Sequence, residues 1–124
     1  MLIRAAILAI LSGSSASHHA ASVPVTVGEH EGMDACVSFG EVRAAKAILR
    51  AGPNQSFPRV SKLKRGDILH ICTGSKDGAW TGVILAQDGV LDCGVTSPVA
   101  NPRAYAGPCV SGWLPSETVE VTAG

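Results

Sequence analysis

Apolar and polar residues alternate most cleanly in the second half of the chain. Leu69 and Ile71 fall on one face of an extended segment, and Ile68, His70 and Cys72 fall on the other. This predicts a strand over Ile68–Cys72, set off by a Gly66-Asp67 turn. A second strand is expected over Trp80–Gln87. Asp88-Gly89 is a two-residue hairpin signal, and Val90–Cys93 turns back. Ser111–Pro115 reads as a short strand, Ser116–Thr118 as a turn and Val119–Val121 as the last strand. Upstream, Asp34–Ala47 reads as an irregular lead-in and Ala47–Arg50 as the first strand, with a helical turn over Arg43–Ala47 as the alternative. Gly52–Lys62 carries Pro53 and Pro58 and reads as a loop anchored by Val60 and Leu63. The prediction is an all-β chain of short elements.

The stretch 94–110 breaks the pattern. Pro98, Pro102, Pro108, Gly94 and Gly107 leave it without a period of two or of 3.6. It is a long loop for a compact domain, and Cys93 and Cys109 bracket it.

The N-terminus changes the picture of compartment. Arg4, the apolar run Ala5–Leu11 and the small residues Ser12–Ala16 have the order of a secretory leader. The run is too short to span a membrane. The chain divides into a leader over 1–16, with a cut as late as 22, a flexible linker over 17–33 and a folded part over 34–124. Export makes the four cysteines a disulfide framework. None lies in a Cys-x-x-Cys pair, which argues against zinc and thiol-redox sites, and the four allow three pairings.

Charge narrows the partners. Ten Lys and Arg balance ten Asp and Glu, so no global field attracts nucleic acid or an anionic membrane. Arg59, Lys62, Lys64 and Arg65 nevertheless crowd together. They form either a solvated face or an anion-attracting edge. Candidate chemistry is sparse. His70 and Cys72 share a strand face as an incomplete nucleophilic pair without an orienting third group. Asp67, Asp77, Asp88 and Asp92 sit in or beside turns, where Asp bonds locally. Ser17-His18-His19 would make an amine–imidazole copper site only if a new terminus formed after Ala16; the plainer reading is a polar tail. No enzyme, resident metal or cofactor is expected.

The ordered set Leu49-Arg50-Ala51-Gly52-Pro53, Val60, Leu63-Lys64-x-Gly66, Leu69, Ile71, Gly78-Ala79-Trp80 and Gly112-Trp113-Leu114 resembles the bacterial SH3 domain family over residues 48–121. The eukaryotic Ala-Leu-Tyr-Asp-Tyr string is missing, so polyproline recognition is not implied. The resemblance implies a small barrel of about five short strands, with the lead-in and the 94–110 loop as additions. It points Leu69, Ile71, Val83 and Leu114 inward. It turns Cys72 outward toward the Cys36 lead-in, giving Cys36–Cys72 and Cys93–Cys109. It further implies an exported, periplasmic or secreted binding module for a cell-wall glycan or peptide. The ligand residues would be Trp80, Trp113 and Arg50, joined by Tyr105 and Arg103 of the inserted loop. The competing role for each tryptophan is to plug the core. The runner-up function is an accessory or inhibitor subunit that engages an envelope protein through the inserted loop.

Overall fold

A computed structural model of the chain describes residues 21–86 and 92–124. The leader expected over 1–16, the Ser17-His18-His19 candidate and the expected Asp88-Gly89 hairpin lie outside these. The strands are β1 (Thr26–Val27), β2 (Ser38–Val42), β3 (Lys46–Arg50), β4 (Arg59–Lys64), β5 (Ile68–Gly74), β6 (Trp80–Leu85), β7 (Arg103–Ala104), β8 (Ser111–Pro115) and β9 (Val119–Ala123), with one 3-10 turn at Ser116–Thr118. Seven strands form an antiparallel sheet in the order β4-β3-β8-β6-β5-β2-β9, and β1 pairs with β7 in a second, two-stranded sheet. Among the described residues no helix is long and apolar enough to cross a membrane.

Side-chain alternation gives the large sheet two apolar faces. One face gathers Val42, Ala47, Leu49, Leu63, Leu69, Val83, Leu114 and Val119 into a single buried cluster. All seven strands contribute, including β4 and β9 at the two ends of the order. The added β1–β7 layer packs against the other face. The sheet must therefore coil to keep water off these residues, as right-handed twist allows. The opposite face supplies Cys72, Ile84 and Trp113 to a second cluster, closed by Val25, Val27, Ala35, Cys36, Cys93, Val95 and Cys109. On β5, β6 and β8, adjacent residues go to opposite clusters, as a period of two requires.

Three sequence expectations change. First, Ser38–Val42 is not an irregular lead-in but a strand hydrogen-bonded to β5 and β9. Gly40 hid it by breaking the apolar alternation. A Cβ there would lie 2.6 Å from Ile71 Cδ1 and collide with the Glu120 carbonyl oxygen, so the inward position on this strand has no room for a side chain. Second, Arg59–Lys62 belongs to β4 rather than to a loop. Pro58 lies just before the strand, and β4 ends the sheet, where polar outward residues are tolerated. Third, the 17–33 segment is folded over much of its described part. Val25 and Val27 are only 1% and 3% exposed, and the overlooked signal was the alternation Val23, Val25, Val27.

The added layer is held by hydrogen bonds and by both predicted disulfides. Cys36 is bonded to Cys72 and Cys93 to Cys109. The amides of Ala35 and Cys36 donate to the carbonyls of Ser97 and Val95 (2.9 and 3.1 Å), and the Tyr105 amide donates to Val25 O (2.8 Å). The Thr73 hydroxyl donates to Glu29 Oε1 at 2.8 Å. Two disulfides fit an oxidising compartment.

Candidate functional site

A shallow groove of about 190 Å³ opens beside β3, β6 and the 3-10 turn, lined by Lys46, Ala47, Ile48, Arg50, Gln55, Trp80, Pro115 and Thr118. Trp80 is its half-buried aromatic wall. The connection before Trp80 is pinned at several points. Ser75 N donates to Trp80 O (2.9 Å), and Trp80 N donates to Ser75 Oγ (3.0 Å). Asp77 Oδ1 accepts from the Ser75 hydroxyl (2.7 Å) and from Ala79 N (3.0 Å). Those two hydrogen bonds hold the Asp77 carboxyl below its usual value. From the 3-10 turn, Ser116 Oγ donates to Gly78 O (2.7 Å) and Ser116 N to Ala79 O (2.8 Å). The aromatic wall and the turn facing it are thus joined in one hydrogen-bonded unit.

Arg50 sits at the end of β3, half-buried, with Nη1 donating to Phe57 O at 3.1 Å. This closes the loop between β3 and β4, where Ala51 N also donates to Pro58 O (2.9 Å). The structure therefore brings together two of the five sequence-chosen ligand residues, Trp80 and Arg50.

Trp113 is not among them. It is 5% exposed, inside the second cluster. Its Nε1 donates to Val23 O at 2.7 Å, which satisfies the buried indole. Gly82 faces it across the strand pair. A Cβ on Gly82 would lie 2.6 Å from Thr73 Cγ2, 3.2 Å from Val25 Cγ1 and 3.4 Å from the Trp113 ring. Of the two tryptophans, Trp113 plugs the core and Trp80 lines the groove.

Tyr105 and Arg103 lie apart from this groove. They line a separate pocket of about 370 Å³ within the inserted loop, with Val27, Val95 and Val99. The Tyr105 hydroxyl is committed internally. It donates to Cys93 O (2.9 Å) and accepts from Cys109 N (3.1 Å), joining both ends of the disulfide-bracketed loop. Tyr105 is a brace rather than a ligand donor, while Arg103 is exposed on β7.

The His70–Cys72 pair has no free thiol, because Cys72 is bonded to Cys36. His70 is 8% exposed and packs against Phe39 with the rings tilted by 49° and their centroids 4.9 Å apart. Burial pulls its pKa below 6.5, against a smaller opposing pull from Asp92. Among the described residues no three His, Cys, Asp or Glu side chains cluster as metal ligands. Sequence reasoning missed Pro115, Thr118, Ile48 and Lys46 as groove walls. The resemblance placed the closing Gly-Trp-Leu element beside the groove, but the residue that reaches it is Pro115, two positions after Trp113.

No family model, curated protein or solved structure matches this chain.

Proposed function

We propose that this chain is an exported, non-enzymatic SH3-like binding module whose ligand seat is the Trp80 groove. The observation that carries this reading is the convergence of Trp80, Arg50 and Pro115 around a pinned 3-10 turn. The coiled seven-stranded sheet supports the barrel half of the reading, since one cluster collects residues from every strand. Of the implied succession, β3, the Gly66-Asp67 turn, β5, β6, β8, the 3-10 turn and β9 occur in that order, with β4 where a loop was expected and β2 added between β5 and β9. The two disulfides support a periplasmic or secreted location, where a cell-envelope peptide or glycan is the available ligand class.

A half-exposed tryptophan beside a cation and a proline suits a peptide or a sugar face. The test is cosedimentation of the mature, oxidised protein with purified peptidoglycan. The expected result is pelleting that Trp80→Ala weakens about tenfold and Trp80→Phe partly restores. Protein left in the supernatant at background level would remove the wall-binding reading.

The accessory-subunit reading has one observation in its favour, the larger pocket beside exposed Arg103. The inserted loop does not project as a wedge, because β7 pairs with β1 and its cysteines are buried. An envelope protein captured by the native chain and lost with Arg103→Glu would favour that reading over the groove.

A further inference from the structure

Neutral net charge conceals a strong segregation. Seven of the ten cationic side chains, Arg43, Lys46, Arg50, Arg59, Lys62, Lys64 and Arg65, lie within residues 43–65, and no Asp or Glu occurs there. The β3–β4 pairing sets Lys46 opposite Lys64, Ile48 opposite Lys62 and Arg50 opposite Arg59. Ala47, Leu49 and Leu63 point into the core, so Lys46, Lys62 and Lys64 stand on the outer face. Like charges directly opposite one another in a sheet are destabilising. The only ion pair among the described residues is Lys64–Asp67 at 2.9 Å, which leaves the rest of the face without an internal counter-charge.

β4 also ends the seven-strand order, so its second edge has no strand partner among the described residues. Lysines on an edge strand normally guard against pairing with other edges. That accounts for Lys62 and Lys64 but not for Lys46 and Arg50, one strand further in. A row of cations refuses neutral and basic strands and admits an acidic one. Lys62 and Lys64 are spaced by two residues, about 6.8 Å along the strand. An added extended peptide repeats its own side chains at that interval.

We propose that the β4 edge and the cationic outer face beside it take an extended acidic peptide as an added strand. Its backbone hydrogen-bonds to β4, and its alternate carboxylates meet Lys62, Lys64 and Lys46. A nucleic acid is the poorer occupant, since Trp80, half-buried at the border of this face, offers one ring and not the run of aromatic platforms on which successive bases stack. A glycan has no regular N–H and C=O ladder to match the strand. The surface is independent of the Trp80 groove as a seat, although Lys46 and Arg50 border both.

The experiment uses a labelled peptide matching the six residues of β4 in length, with Glu alternating with Val and Thr, and the full oxidised chain, read by fluorescence anisotropy at low salt. Expected is saturable binding that weakens at least about tenfold in Lys62→Glu/Lys64→Glu and fades as salt is raised. Trp80→Ala and Lys76→Glu should leave it unchanged, so loss of wall binding and loss of this interaction are separable. Circular dichroism checks that each variant is folded. The proposal is overturned if the peptide does not bind, or if its Lys-for-Glu counterpart binds equally. It is also overturned if an anionic polysaccharide binds as tightly with the same dependence on Lys62 and Lys64. Self-association in a sedimentation run, lost in the same double variant, would assign the edge to a second copy and overturn it as well.

Discussion

At the scale of single residues, the two tryptophans show what sequence alone resolves. Their positions in the ordered motif were legible, but their roles depend on which face of the sheet each meets. Trp113 is buried because the N-terminal segment crosses over it, and Gly82 leaves room for its ring. Nothing in the Gly112-Trp113-Leu114 string announces that cover. Trp80 stays half-exposed because the 3-10 turn holds the far side of its groove open. His70 yields a prediction at the same scale. Its folded pKa lies below 6.5, chiefly through burial, so the unfolded chain binds more protons as pH falls through that range. Stability is therefore greatest above about pH 6.5 and declines as pH drops toward the depressed folded value. Thermal melts from pH 7.5 to pH 5 should show this decline. His70→Leu should remove most of it; an unchanged slope would locate the pH dependence elsewhere. Asp67 acts in a lower window. Desolvation raises its pKa, but hydrogen bonds from the Lys64 backbone and ammonium, with that charge, carry it below 3.8. Its contribution is lost only as pH falls through that lower value.

At the scale of elements, the turns were read most reliably and the outer strands least. Gly66-Asp67 forms the expected turn, with Lys64 N donating to Asp67 Oδ2 at 2.9 Å. β5 and β6 begin where their alternation predicts. β2 and β1 were missed for opposite reasons. In β2, Gly40 interrupts an apolar alternation that the packing itself requires to be interrupted. In β1, a leader-derived expectation of flexibility outweighed three alternating valines. The cysteine pairing was legible only through the implied fold, because spacing alone leaves three arrangements. Both bonds now have distinct jobs: Cys36–Cys72 fastens the N-terminal segment to β5, and Cys93–Cys109 closes the inserted loop over the second cluster. Replacing Cys93 and Cys109 together by Ala should cost about 3 kcal/mol, the chain-entropy value for a loop of this length. Urea denaturation measures it. A loss under about 1 kcal/mol would mean that Tyr105 and the β1–β7 pair already fix the loop without the bond.

At the scale of the whole molecule, one coiled sheet is covered on its outer face by additions that the sheet's own motif does not contain. The additions are sequence-distant, residues 21–36 and 92–110, and they meet through β1–β7 pairing, backbone hydrogen bonds from Ala35, Cys36 and Tyr105, and shared burial. No local pattern encodes that meeting, which is why it was not legible in advance. Charge is segregated at the same scale: the 43–65 hairpin is cationic, while Glu29, Glu31, Asp34 and Asp92 lie on the added layer. The added layer is therefore net acidic and braced over an apolar sheet face, and the open side carries the groove and the cations. This asymmetry is the physical basis for placing recognition on the β3–β4–Trp80 side rather than on the inserted loop.

The most direct test of that placement is amide chemical-shift mapping of the isotopically labelled, oxidised chain with soluble peptidoglycan fragments. The largest shifts are expected at Lys46–Arg50, Gln55, Ala79–Thr81 and Ser116–Thr118. Shifts concentrated within residues 92–110, or none at saturating fragment, would contradict it.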